Sequence, residues 1–438
     1  MPESKPAVKI GLWTSIALVV GNMIGSGVFL LPATLAAYGG ISMLGWIGSS
    51  LGALTLAMLF SKLSKMLPNS PGGPYAYTRE GLGDFAGFLV AWGYWISVWC
   101  TNAAIAITFV SYLTVFFPVL AENSILSVGT GLAAVWLLTW INTMGVRTAG
   151  AVQLITTIMK LTPLIIVAMV GMFYIDLNNF IPFNSSNQSN FSAITATATL
   201  TLFAFLGLES ATIPAGNIIN PEKTIPRATM IGTWVTILVY VLGSAAVMGM
   251  LPASELKVSN APFADAAALI WGDGARNWVA LGAIVSTFGA LNGWILLQGQ
   301  VPLAAARDKM FPKIFKRENS KGIPVVGIVF SSILISALML MNFTKGLTAT
   351  FTFMILMTTI TVLVPYLFSA ASYGIIILRQ KEWQKKSSMQ VLLAFVAFAF
   401  SLWAVVGSGE ETVYWGFIAI LAGIPFYVWM KRSENDNG

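Results

Sequence analysis

Long apolar runs follow one another along almost the whole chain, separated by short polar segments. They fall at 11–38, 41–66, 85–118, 125–144, 148–174, 192–219, 228–250, 277–306, 324–342, 347–377, 388–408 and 412–430. Each is long enough to cross about 30 Å of hydrocarbon as a helix. The pattern predicts an all-α polytopic membrane protein with twelve spans. Two uncharged stretches, Phe85–Ala121 and Asn277–Ala306, predict helices that exceed the bilayer and tilt.

Two runs break the apolar rule at their middles. The first reads VVGNMIGSGVFLLP and carries Gly21, Asn22, Gly25, Ser26 and Gly27. The sixth reads LFAFLGLESA and carries Gly207, Glu209 and Ser210. Glycine and serine let a helix unwind, and the freed N–H and C=O groups are tolerated only beside a cavity. Interruptions at corresponding positions of two halves point to a transporter site. A half-helix that restarts after the break aims its positive N-terminal end at the gap, where a carboxylate fits. Unwound carbonyls suit an ammonium group, so the pair would receive the backbone of an α-amino acid. The bland alternative is close helix packing, because Gly21 and Gly25 have small-x-x-x-small spacing. It leaves Ser26, Gly27 and the matched sixth run unexplained.

Composition fits this class. The 438 residues are 56% hydrophobic and 9% charged, against about 25% charged in soluble proteins. The net charge of +7 does not mean nucleic-acid binding. With both termini placed inside, 20 of the 24 Lys and Arg fall on the inner side, and only Lys257, Arg276 and Lys345 fall outside. This is the positive-inside bias, and it predicts a multi-pass inner-membrane protein with cytoplasmic termini. The N-terminal segment runs straight into the first span without a cleavable leader pattern. There is no His, and Cys100 is the single cysteine. That removes His-based metal sites, Ser-His-Asp triads and an intrachain disulfide, and predicts no cofactor, no metal and no enzyme activity.

Five segments, GNMIGSGVFLLP, SPGGPYAYTREGLG, FAFLGLESA, INPEKTIPRATMIG and LVPYL, resemble the amino acid–polyamine–organocation family, and within it the bacterial arginine/agmatine and putrescine/ornithine exchangers. The resemblance covers essentially the whole chain. It implies a single membrane domain of the leucine-transporter fold over residues 1–438. Residues 11–174 and 192–377 would be inverted five-helix repeats, 388–430 would be two extra helices, and the protein would often form a homodimer. It implies that Ser26 and Gly27, with Met23 and Ile24, hold the substrate carboxylate and help hold its amine. Phe203, Ala204 and Leu206 would offer carbonyls to the amine. Phe203 stands where the arginine exchanger has a capping tryptophan, and Ala204 replaces a serine. Asn102, Ser97 and Val98 would line the side-chain end of the pocket, and Trp294 and Thr358 would complete it. Tyr94, Glu209 and Tyr366 match outer-gate positions. Phe203 and Trp294 would also gate, and Tyr75 matches a tyrosine on the cytoplasmic side.

Two charges lie deep in apolar runs, Glu209 and Lys160. Such residues are functional candidates because leaving them there is costly. Glu209 follows the break in the sixth run. Lys160, in TTIMKLTPL, resembles a fifth-span lysine whose ammonium replaces the sodium ion of sodium-coupled relatives. It would serve either as a proton carrier, since a desolvated lysine titrates readily, or as a fixed structural cation. Sodium-independent exchange of a cationic amino acid or its amine is therefore the expected activity, with proton-coupled uptake through Lys160 as the alternative. A channel or an amino-acid sensor on the same fold are lesser alternatives. The expected partners are a small amino acid or amine and the lipid bilayer.

Overall fold

The computed structural model describes residues 10–68, 70, 72–144, 150–213, 215, 218–379 and 387–435, and for 150–160, 343, 387 and 433–435 the backbone only. In chain order the helices are α1 Leu12–Met23, α2 Gly27–Leu35, α3 Ser42–Met66, α4 Pro74–Leu82, α5 Asp84–Leu113, α6 Val119–Glu122, α7 Ser124–Thr143, α8 Gly150–Gly171 and α9 Asn190–Leu202. Then follow α10 Pro221–Met250, α11 Ala253–Leu256, α12 Pro262–Trp271, α13 Asp273–Arg307, α14 Val325–Asn342, α15 Leu347–Arg379, α16 Ser387–Val406, α17 Glu410–Leu421 and α18 Gly423–Asn435. Among the described residues, eleven helices are long and apolar enough to cross a membrane. The run read at 148–174 corresponds to α8, whose described side chains from Leu161 onward form a shorter apolar stretch.

Helix ends depart from the apolar runs where polar sequence can still be helical. α10 begins at Pro221, seven residues before the run read at 228. Asn220 takes a left-handed conformation with φ of 46° and hands over to Pro221, whose fixed φ suits a first helical position and whose missing N–H costs nothing there. The first polar turns of α10 therefore stand on the edge of the apolar layer. α13 has 35 residues, roughly 50 Å at about 1.5 Å per residue, so it overruns the hydrocarbon as its length predicted. α5 stops at Leu113, short of the long run, with Pro118 beyond it.

α5 packs along α13 and α15, and α3 is wedged between α9 and α10. One end of the bundle is rich in cations. There Arg79 pairs with Asp84 at 2.9 Å, Arg307 with Glu318 at 2.8 Å, and Lys321 Nζ donates to the Met144 carbonyl at 2.7 Å. At the opposite end the turn after α2 meets the 175–189 connection, where the Ile41 N–H donates to the Phe183 carbonyl at 2.7 Å. Ile10, just before α1, forms a parallel bridge with Ile218, and the Ile219 N–H donates to the Ile10 carbonyl at 3.0 Å.

Candidate functional site

α1 ends at Met23 and α2 starts at Gly27, with Ile24 at φ −80° and ψ 88°, outside helical geometry. α9 ends at Leu202, and the chain then runs through a short 3-10 turn at Phe203–Phe205, an extended Leu206 and Gly207 at φ +100°. The two irregular segments touch. A Cβ on Gly27 would lie 3.2 Å from both Ala204 Cα and Ala204 Cβ, and a Cβ on Gly207 would lie 3.3 Å from Asn22 Cβ. Gly27 therefore keeps its place because a neighbouring backbone needs the room. Gly207 also holds a positive φ that side chains resist. A Cβ on Gly25 would make only ordinary contacts, at 3.8 Å or more, so close packing is not what requires that glycine.

A small cavity lies where the segments meet. It is lined by Asn22, Met23, Gly25, Ser26, Gly27, Thr101, Ile105, Phe203, Leu206 and Trp294. The space open to water is about 10 Å³, about one water's worth. Among the described residues, no charged side chain lines it. Ser26 Oγ is buried without a hydrogen-bond partner among the described residues. The first N–H groups of a helix have no partner inside it, and those of α2 start beside this space. The Tyr240 hydroxyl donates to the Met23 carbonyl at 2.6 Å and fixes the end of α1. The Phe203 carbonyl accepts the Leu206 N–H at 3.1 Å. The Phe203 ring meets Phe351 edge-on, with centroids 6.1 Å apart.

Six of the residues expected at the site line this cavity together: Met23, Ser26, Gly27, Phe203, Leu206 and Trp294. Ala204 sits behind Gly27, and Ile24 is buried. Ser97, Val98, Asn102 and Thr358 do not reach it. Ser97 Oγ donates to the Tyr94 carbonyl at 2.7 Å, and Thr358 Oγ1 to the Met354 carbonyl at 2.9 Å, each within its own helix. Asn102 turns away and donates through Nδ2 to Gln298 Oε1 at 2.7 Å. Gln298 in turn donates to the Ile328 carbonyl at 2.9 Å and to Ser332 Oγ at 2.8 Å. Thr101, one residue earlier on α5, faces the cavity instead.

Glu209 is fully buried and accepts two phenol hydroxyls, from Tyr94 at 2.8 Å and Tyr366 at 2.7 Å. Among the described residues it is the only buried Asp, Glu, Lys or Arg. Tyr94 stands ten residues along α5 from Asp84 at the cation-rich end, and Thr101 at the cavity lies seven residues further. Tyr366 likewise lies between Thr358 and Arg379 on α15. The cluster thus sits between the cavity and the cation-rich end, and the Phe203–Phe351 ring contact lies on the other side of the cavity. Nearer the same end, the Tyr75 hydroxyl donates to Asp308 Oδ2 at 2.8 Å. Burial, then the Asp308 carboxylate, push the Tyr75 phenol up, so it stays a donor. The Lys160 side chain lies outside the described residues.

Thr101, Ile105, Gln298 and Tyr240 are contributors that the sequence did not single out, while Asn22 was noted only as a polar residue in the first broken run. Asn22 and Gln298 do carry a signal, since each is a carboxamide within an apolar run.

The family pattern of amino acid permeases matches residues 10–428. The chain is 33% identical over 427 residues to a cadaverine/lysine antiporter of Escherichia coli (strain K12), covering 96% of this chain and 95% of that protein. It is 30% identical over 420 residues to the putrescine transporter PotE of Haemophilus influenzae, covering 96% of each. A crystal structure of the Eremococcus coleocola manganese transporter shares the fold, with a TM-score of 0.57 at 13% identity over 98% of both chains. These relatives are transporters and antiporters, not enzymes. The chain is a multi-span membrane protein of the amino acid permease family.

Proposed function

We propose that the chain exchanges a cationic amino acid for a diamine or related amine, exposing the cavity between α2 and the 203–209 segment alternately to the two sides. The observation that supports this most directly is the meeting of the two interrupted segments at Gly27–Ala204 and Asn22–Gly207. The N–H groups at the start of α2, with Ser26 and Gly27, would hold the substrate carboxylate. The carbonyls near Met23 and in the 203–206 segment would hold its α-amine. The faces of Phe203 and Trp294 would take the distal cationic group, because ring faces attract cations without a buried counter-charge. The uncharged lining of the cavity fits that division, and the diamine and lysine relatives favour this substrate class.

With the cation-rich end placed inside by the positive-inside bias, both termini are cytoplasmic and the protein sits in the inner membrane. Tyr94, Glu209 and Tyr366, with Tyr75 and Asp308 beyond them, would then form the inner gate. Phe203 and Phe351 would form the outer one. The cavity has room for about one water, so it must widen to load a substrate. Residues 11–174 and 192–377 would be the repeats that rock against each other, and the assembly would be a homodimer.

The test is uptake of labelled lysine into proteoliposomes without sodium. Exchange predicts uptake only when the vesicles are preloaded with cadaverine or another amine. Uptake into empty vesicles driven by an imposed pH gradient, and lost in Lys160→Ala, would replace this reading with proton-coupled uptake.

A further inference from the structure

Away from the substrate cavity, a groove of about 800 Å³ opens to the outside between α3, α10 and α16. Its polarity is graded along all three helices. On α3, Met58 is followed by Lys62 and Lys65 on the same face, at i, i+4 and i+7. On α10, Arg227 is followed by Ile231 one turn deeper. On α16, Leu392 and Val396 continue the apolar wall away from the charged rim. α3 ends at the cation-rich side of the bundle and α10 begins there, so all three cations crowd one rim.

Among the described residues, no acidic side chain lines the groove. Lys62, Lys65 and Arg227 take part in none of the ion pairs among the described residues. Three cations at a membrane edge with no counter-charge among the described residues repel one another unless an anion sits among them. The polar rim and apolar floor have the same order as a phospholipid, headgroup outward and acyl chains inward. Basic pockets between membrane helices on the cytoplasmic side are suited to anionic headgroups.

We propose that this groove is a binding site for an anionic phospholipid, its phosphate held by Lys62, Lys65 and Arg227 and its chains lying on Met58, Ile231 and Leu392. A bound lipid would bridge α3 to α10. α10 is the helix whose Tyr240 fixes the end of α1, so the lipid would brace the scaffold behind the substrate cavity without touching it.

The test is the thermal unfolding of purified full-length protein in detergent, with added phosphatidylglycerol, phosphatidylcholine or inorganic phosphate. Phosphatidylglycerol should raise the midpoint by several degrees more than phosphatidylcholine, and inorganic phosphate should leave it unmoved. The triple variant Lys62→Gln, Lys65→Gln, Arg227→Gln should unfold as wild type does in phosphatidylcholine and lose the extra shift. Lys62→Arg with Lys65→Arg should keep it. Equal shifts from the two lipids, a phosphatidylglycerol shift that survives in the triple variant, or the same shift from inorganic phosphate would each overturn the proposal. So would a triple variant that changes only the oligomeric state, since the groove would then face a second copy.

Discussion

The Tyr240 hydroxyl reaches 2.6 Å to the carbonyl of Met23, the last residue of α1, in a fully buried setting. A broken helix leaves its final carbonyls without partners, and Tyr240 satisfies one of them from a neighbouring helix. Tyr240→Phe keeps the ring and removes the bond, leaving the Met23 carbonyl with the Gly25 N–H at 3.0 Å, at a cost of about 0.5–1.5 kcal/mol. The expected outcome is a lower unfolding temperature and weaker lysine binding, read by thermal shift with and without ligand. Wild-type affinity in that variant would show that the end of α1 holds its place without the tyrosine.

Gly27 faces Ala204 so closely that any side chain must push the segments apart. Gly27→Val should abolish exchange while the protein still inserts and purifies as a folded species. Gly207→Ala places a Cβ against Asn22 in a conformation with φ of +100°, so it should lose both stability and transport. Full exchange by Gly27→Val would rule out the contact between the breaks as the substrate receptor.

Phe203→Ala should weaken binding of a cationic ligand by about 1–3 kcal/mol if its face meets the ligand in a dry site. Phe203→Trp should restore most of the loss. Isothermal titration with lysine and with a neutral amino acid separates the cases. A role limited to packing on Phe351 would reduce both ligands equally.

Glu209 is the hub that joins α5 and α15 to the segment after α9. Glu209→Gln cannot accept both phenols through a carboxylate and loses the charge that strengthens those bonds. Exchange should slow at least tenfold while equilibrium binding of lysine changes little, because the cluster lies beyond the cavity toward the cation-rich end. Stopped-flow exchange set against equilibrium binding measures that split. Equal losses in both would make Glu209 part of the binding site.

Charge arithmetic gives a further outcome. Near neutral pH lysine carries a net single positive charge, and a diamine carries two, since alkyl amines titrate near pH 10.4. One-for-one exchange therefore moves one positive charge out with each amine. An inside-positive potential should speed lysine uptake into amine-loaded vesicles, with a driving force of about 2.3 kcal/mol per charge per 100 mV. Indifference to the potential would mean that another ion moves with the substrates, and Lys160→Ala would be the first variant to examine for it.

The breaks were legible because glycine and serine at mid-span contradict the apolar pattern that the bilayer imposes. The cavity residues Met23, Phe203, Leu206 and Trp294 came from the family resemblance and not from the breaks. Depth was not legible. Tyr94 and Tyr366 are aromatics in apolar runs, and only the helix geometry shows that they meet Glu209 between the cavity and the cation-rich end. Asn102 stood out as a lone polar residue, yet its partner is Gln298 on α13, almost two hundred positions away. Pairings across such separations leave no periodic trace. Tyr240 was hidden for the opposite reason, since a tyrosine in a membrane helix needs no special cause.

The bridge between Ile10 and Ile218 has a mechanical consequence. It clasps the strand entering α1 to the strand leaving the second break, so the lower halves of the two interrupted helices are tethered by main chain. Side-chain substitution at Ile10 would leave that clasp closed. A proline at position 219 would open it, because the donating N–H would be gone. The two halves would then swing separately, and a carrier that should open one door at a time would leak.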